Sequence, residues 1–258
     1  MRLPDIMVAP NGAYKTKLDH PNLPMTLDET IGAVAAAHRA GAGGAHVHLR
    51  DAEGKHLLDA AQYRILIDGL RAACPDLYIQ VTTEAAGRYS SAEQRALILD
   101  LLHPYVSASI TELTRACEVS ELRDFYAICA RHSITIQHIF YHPDDIAVFK
   151  SYVDLGVIGP DQRCAIFVLG RYSVGQKSQP CDLDPFLHAL DRLGLGDAFD
   201  WAVCAFGPTE TACLAYAHSK GGKARIGFEN NLFHSDGSIA SSNAERVTEL
   251  IAALKVFG

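Results

Sequence analysis

The sequence predicts an α/β fold, a (β/α)8 TIM barrel forming a single domain over residues 1–258, and three observations carry that expectation. Apolar strands and amphipathic helices alternate about eight times without a break, the pattern of parallel βαβ units. A length of 258 residues suits one such barrel. No Pro/Ser-rich linker or composition shift divides the chain. A doubly wound open sheet is the runner-up, weakened because no G-x-G-x-x-G follows the first strand.

Taken in order, residues 6–9 form the first apolar run, which ends at Pro10-Asn11-Gly12, a strand followed by a loop. A helix is expected over residues 26–40, because Thr26 and Glu29 make a capping box for its first turn. Gly41 and Gly43-Gly44 end it and lead into a strand at 46–49. Residues 59–73 place Tyr63, Leu66, Ile67 and Leu70 on one helical stripe. The alternation continues with a strand at 78–83, a helix from Ser90 to about 102, a strand at 105–110, a helix at 119–131 and a strand at 134–140. A helix at 142–155, a strand at 165–170, a helix at 182–193, a strand at 201–206, a helix at 209–219 and a strand at 223–228 follow. Ser242-Asn243-Ala244-Glu245 caps a final helix carrying Val247, Leu250, Ile251 and Leu254. Segments 171–181 and 230–241 are expected as loops at the barrel mouth.

Composition excludes several function classes. Lys and Arg number 23 against 30 Asp and Glu, a net charge of -7, with no basic stripe, so no nucleic-acid partner is expected. No apolar run approaches the length of a membrane span, and the first residues lack a signal-peptide core. Seven scattered cysteines with no C-x-x-C read as reduced thiols, which points to the cytoplasm.

The chemistry gathers at Ala45-His46-Val47-His48-Leu49-Arg50-Asp51. Alternate residues of a strand share a face, so His46 and His48 project together and can converge on one metal ion. Zinc is the default for two imidazoles and a carboxylate, and a catalytic zinc keeps one position open. A lone H-x-H is a common accident, so the weight falls on a third ligand. In a barrel the last strand closes against the first, and active sites form at the carboxyl ends of the strands. Glu229, just past the last strand, is then within reach of His46 and His48; its other reading is a capping or surface carboxylate.

These stretches, with Arg225-Ile226-Gly227-Phe228-Glu229-Asn230-Asn231-Leu232, Asp236-Gly237-Ser238 and Ser242-Asn243-Ala244-Glu245, resemble the β-keto acid cleavage enzyme family. The resemblance spans essentially the whole chain. It implies a zinc-dependent barrel, a homotetramer, that converts a β-keto acid and acetyl-CoA into acetoacetate and a new acyl-CoA. By resemblance, His46, His48 and Glu229 hold Zn2+, Arg225 is the catalytic arginine and Thr82 a substrate-contacting hydroxyl. Ala85 stands near a family Gly, and Tyr14 stands where the substrate's distal group is met. A family Asp beside the arginine is Asn230 here, and an amide cannot act as a base at neutral pH. Arginine is itself a poor base, so Arg225 reads as an orienter of carboxylate or a stabiliser of negative charge.

Two further departures bear on the missing base. Glu84 and Glu112 follow the third and fourth strands. Each is a candidate to replace it, to pair with a cationic substrate group, or to form a salt bridge with a neighbouring loop. Tyr14 replaces a carboxylate that holds an amino group in the family, so an aminated substrate is not carried over. Arg171 and Lys177 either meet CoA phosphates or are solvated loop charges. His138 reads as a satisfied core residue, and His20, His56, His103, His142 and His234 as loop or surface residues. Two other functions compete: an amidohydrolase-type metal-dependent hydrolase, whose H-x-H would end the first strand instead, and a catalytically silent barrel homologue, favoured only by Asn230.

Overall fold

The computed structural model describes residues 2–196 and 199–257. Ten strands alternate with helices among them: β1 Ile6–Val8, β2 Gly44–Val47, β3 Leu49–Arg50, β4 His56–Leu57, β5 Tyr78–Thr82, β6 Tyr105–Ser109, β7 Thr135–Phe140, β8 Cys164–Leu169, β9 Asp200–Ala205 and β10 Lys223–Ile226. The helices are α1 Leu27–Arg39, α2 Ala60–Ala73, α3 Ser91–Leu101, α4 Ile110–Leu113, α5 Val119–Arg131, α6 Asp144–Asp154, α7 Asp184–Arg192, α8 Glu210–Ser219 and α9 Asn243–Phe257. Eight strands close a parallel barrel in the order β1-β10-β9-β8-β7-β6-β5-β2. This is the (β/α)8 fold that the alternation predicts.

Local chemistry accounts for the element boundaries. Thr26 accepts from the Glu29 amide while Glu29 reaches back to the cap, and Ser90 and Glu93 repeat the arrangement on α3. The α2 stripe Tyr63, Leu66, Ile67 and Leu70 is buried against the barrel wall. A core of apolar residues fills the layer between barrel and helices, and a smaller one, including Met7, Ile139, Ile166 and Phe206, fills the barrel itself. The strand at 46–49 is broken: β2 stops at Val47, and Leu49–Arg50 leaves the barrel to pair antiparallel with His56–Leu57. No helix among the described residues is long and apolar enough to cross a membrane.

Closure sets the distances that matter. Met7 of β1 is in register with Arg225 of β10 on one side and with Gly44 of β2 on the other. The ends of β10 and β2 are therefore only two strand spacings apart, about 10 Å along the barrel wall.

Candidate active site

His46 points into the barrel from β2, and His48 stands just past the strand end. Asn11, in the loop after β1, donates to the His48 carbonyl at 3.0 Å and accepts from its amide at 3.4 Å, replacing the ladder bonds that β2 gives up there. Glu229 is fixed by its own turn. The Gly227 amide donates to the Glu210 carboxylate, the Phe228 amide to the Asn243 side chain and the Glu229 amide to the Ala9 carbonyl. Gly12 adopts φ +65°, and a Cβ there would lie 2.5 Å from the Glu229 Cγ. The absence of a side chain at Gly12 is what lets Glu229 lean across β1 toward the imidazoles.

The donor atoms converge. His46 Nε2 lies 3.1 Å from His48 Nε2, and Glu229 Oε2 lies 3.7 Å and 3.5 Å from them. Protons are assigned by a chain of amides. The Ala165 carbonyl can only accept, so Gln137 Nε2 faces it and Gln137 Oε1 accepts from Gln80 Nε2. Gln80 Oε1 is left to accept from His46 Nδ1–H at 2.9 Å, which puts the His46 lone pair on Nε2. Burial, reinforced by Arg225, lowers the His46 pKa well below the usual histidine range, so the ring is neutral. Burial would raise the Glu229 carboxyl, but Arg225, His48 and His46 together outweigh it and hold it ionised. Glu229 Oε2 is buried without a hydrogen-bond partner. His48 Nε2 faces the His46 lone pair at 3.1 Å, and His48 Nδ1, like Glu229 Oε2, is buried without a partner, which is costly. The residues thus fit a metal ion, as the two-imidazole, one-carboxylate set that zinc accepts with a position left open. Gln80→Leu removes the group that orients His46 and is expected to weaken zinc binding roughly 10–100-fold in chelator competition; unchanged affinity would show that the amide chain does not orient the ligand.

A cavity of about 530 Å³ opens over these residues, lined by the loop after β1, Glu84, Arg171, Phe206, Arg225 and Glu229. Arg225 Nη2 donates to Glu229 Oε1 at 3.1 Å and to Cys204 Sγ at 3.3 Å, while its Nε and Nη1 are buried and unpartnered. Burial opposes its charge, but Cys204 and Glu229 overcome that, so the guanidinium stays protonated. Glu84 Oε2 stands 4.0 Å from His48 Nδ1, and its Oε1 3.6 Å from Arg171 Nη2. Burial pushes the Glu84 carboxyl up, against the pull of His48 and Arg171.

The remaining expected residues divide between cavity and scaffold. The Tyr14 ring lines the cavity beneath the Arg171 guanidinium, 4.6 Å from its centroid. Thr82 Oγ1 accepts from the Glu84 amide at 3.1 Å. Glu112 Oε2 accepts from the Ala85 amide at 3.1 Å and from Gln94 at 2.9 Å, so it braces the loop carrying Glu84. Asn230 is buried with its side-chain amide unpartnered; the carboxylate paired with Arg225 is Glu229.

Of the histidines read as loop or surface residues, His20 and His103 lie in loops but are buried, and His56, on β4, is buried too. Each finds a backbone carbonyl: Ala240 and Glu84, in loops, for His20 and His56, and Ile79, on β5, for His103. His138 is a satisfied core residue, bonded to the Tyr126 hydroxyl and the Cys164 carbonyl. Sequence reasoning missed the Gln80–Gln137 chain. Its signal is an amide in the middle of two otherwise apolar strands, which needs a polar partner inside the barrel.

The chain is similar to known proteins along nearly its whole length. A sequence model of the beta-keto acid cleavage enzyme family matches residues 5–258. The chain is 24% identical to the 3-keto-5-aminohexanoate cleavage enzyme of Acetoanaerobium sticklandii, over 96% of this chain and 90% of that one. It is 26% identical to the 3-oxoadipate:acetyl-CoA acetyltransferase of Cupriavidus necator, over 98% of this chain and 89% of that one. Among solved structures, ObcA in a ternary complex with a C4-CoA adduct and oxalate superimposes with a TM-score of 0.72 at 15% identity. That match covers 92% of this chain and 64% of ObcA, and it speaks for the fold alone. The family match over nearly the full length assigns this chain to the β-keto acid cleavage enzymes.

Proposed function

We propose that the chain works as a one-domain, zinc-dependent β-keto acid cleavage enzyme, taking a β-keto acid and acetyl-CoA to acetoacetate and a new acyl-CoA. The observation that supports this most is the convergence of His46, His48 and Glu229 at one edge of a cavity that also holds Arg225. Zinc, when bound, supplies Lewis acidity toward the ketone oxygen.

Stoichiometry sets what the side chains must do. Acetoacetate keeps the carboxyl and C2 of the acid and gains the acetyl group. C2 must therefore lose a proton, bond to the acetyl carbonyl carbon with CoA thiolate leaving, and then break from C3 as the thiolate attacks C3. The electron pair returns to C2, which regains a proton. Arg225, with Nε and Nη1 free, is placed to take the substrate carboxylate and the charge that develops beside it. Two cavity carboxylates neither bind the metal nor pair with Arg225: Asp19, which is held by Thr16 in an exposed turn, and Glu84, which stands beside His48 and is the assigned carrier of the C2 proton. Asn230 cannot take that role. Tyr14 contacts the far part of the substrate, while Thr82, Ala85 and Glu112 shape the loop that presents Glu84.

The seven free cysteines agree with a cytoplasmic enzyme, and a homo-oligomer belongs to the same proposal. The test supplies zinc-loaded protein with a panel of β-keto acids. Acetoacetate and a new acyl-CoA are expected only when acetyl-CoA is present. Hydrolysis without acetyl-CoA would overturn the reading in favour of a hydrolase.

A further inference from the structure

One cation in the cavity has no place in the reaction described above. Arg171 follows β8, and its guanidinium lies 4.6 Å from the Tyr14 ring centroid and 5.3 Å from that of Phe206. Contact with two aromatic faces leaves the in-plane N–H edge as its polar surface. Its carboxylate neighbour is Glu84 at 3.6 Å, beyond hydrogen-bond length. The guanidinium is largely withdrawn from solvent, with 17% of the side chain exposed, and it lines the cavity. Beyond the Tyr172 hydroxyl, which bonds it, this five-donor cation has donors to spare.

The surroundings discriminate between substrate chemistries. An ammonium on the substrate would compete with Arg171 for Glu84 and would face Lys15 and Arg225 as well. Of the four aromatic rings that line the cavity, Tyr14 is already covered by Arg171 and Phe206 by Arg171 and Lys15, while Tyr141 and Tyr172 pack edge to face on each other. An alkyl end would cover the guanidinium without giving its N–H groups an acceptor. A carboxylate supplies two acceptors in the planar geometry that the guanidinium fork fits.

We propose that Arg171 recognises a second carboxylate at the far end of the substrate, so that the cavity selects 3-oxo acids carrying two acidic groups. This rests on the reaction proposed for the same site, but equilibrium binding tests it separately, because binding needs no turnover.

The experiment measures binding to zinc-loaded protein by calorimetry for three six-carbon acids: 3-oxohexanedioate, 3-oxohexanoate and 6-amino-3-oxohexanoate. The dicarboxylate is expected to bind roughly 10–100-fold tighter than the methyl-ended acid, the range of a charge-assisted hydrogen bond. Arg171→Met keeps apolar bulk between the rings and is expected to erase that preference, costing the dicarboxylate far more affinity than the methyl-ended acid. Arg171→Lys should restore part of it. Three results overturn the proposal: tighter binding of the methyl- or amine-ended acid, equal losses for all three acids in Arg171→Met, or a loss confined to acetyl-CoA, which would assign the arginine to a cofactor phosphate. Failure of the reaction itself shows separately, as absent acetoacetate.

Discussion

Glu229→Gln is expected to strip zinc from the protein and to abolish acetoacetate formation. The substitution keeps size and shape, and the backbone bonds that hold the turn are untouched, since they run from the Gly227, Phe228 and Glu229 amides. What it removes is charge. The carboxylate is the one anion among the three converging groups, and it is held ionised by Arg225 and the two histidines. Two imidazoles beside the Arg225 cation, with no anion among them, are a poor site for a dication. Loss of an anionic ligand should exceed the roughly 10–100-fold cost of losing a group that only orients one, so a drop of about 1,000-fold or more is expected in chelator competition. Circular dichroism should be unchanged. A variant that keeps wild-type zinc affinity would remove Glu229 from the ligand set.

Glu84→Gln is expected to leave zinc in place and to lower turnover by roughly 100- to 10,000-fold, the range for a positioned acid–base group. At 4.0 Å from His48 Nδ1, Glu84 makes no hydrogen bond that would carry metal affinity. It faces the cavity, and burial raises its carboxyl toward the range useful for a proton carrier. Glu112→Gln is the control. Its Oε2 accepts from both the Ala85 amide and Gln94, and a Gln carbonyl oxygen in the same place retains both bonds, so a far smaller effect is expected. Near-normal kcat in Glu84→Gln would return the proton to another group.

Much of this was legible in the residue order. Period-2 and period-3.6 patterns, the Thr26 and Ser90 caps and the strand count lead to the closed barrel. Closure then brings Glu229 to the imidazoles, because β10 and β2 flank β1. The hairpin of β3 and β4 was not legible, since strands of two residues are too short to show a period. Burial of His20, His56 and His103 was missed for a related reason: it depends on contacts with residues distant in the chain, which no local pattern reports. The fully buried Glu210–Arg246 pair at 2.9 Å, which anchors the Gly227 amide, joins residues 36 apart with no shared motif. Glu84 and Glu112 looked equivalent along the chain. Only the direction of each side chain separates the one that enters the cavity from the one that braces its loop.

His46, His48 and Glu229 are proposed to grip one zinc ion. X-ray absorption at the zinc edge of the purified protein tests it most directly. One zinc per chain is expected, coordinated by two imidazoles and oxygen, with no sulfur. A chain that takes up no zinc, or whose zinc shows sulfur ligands, would contradict it.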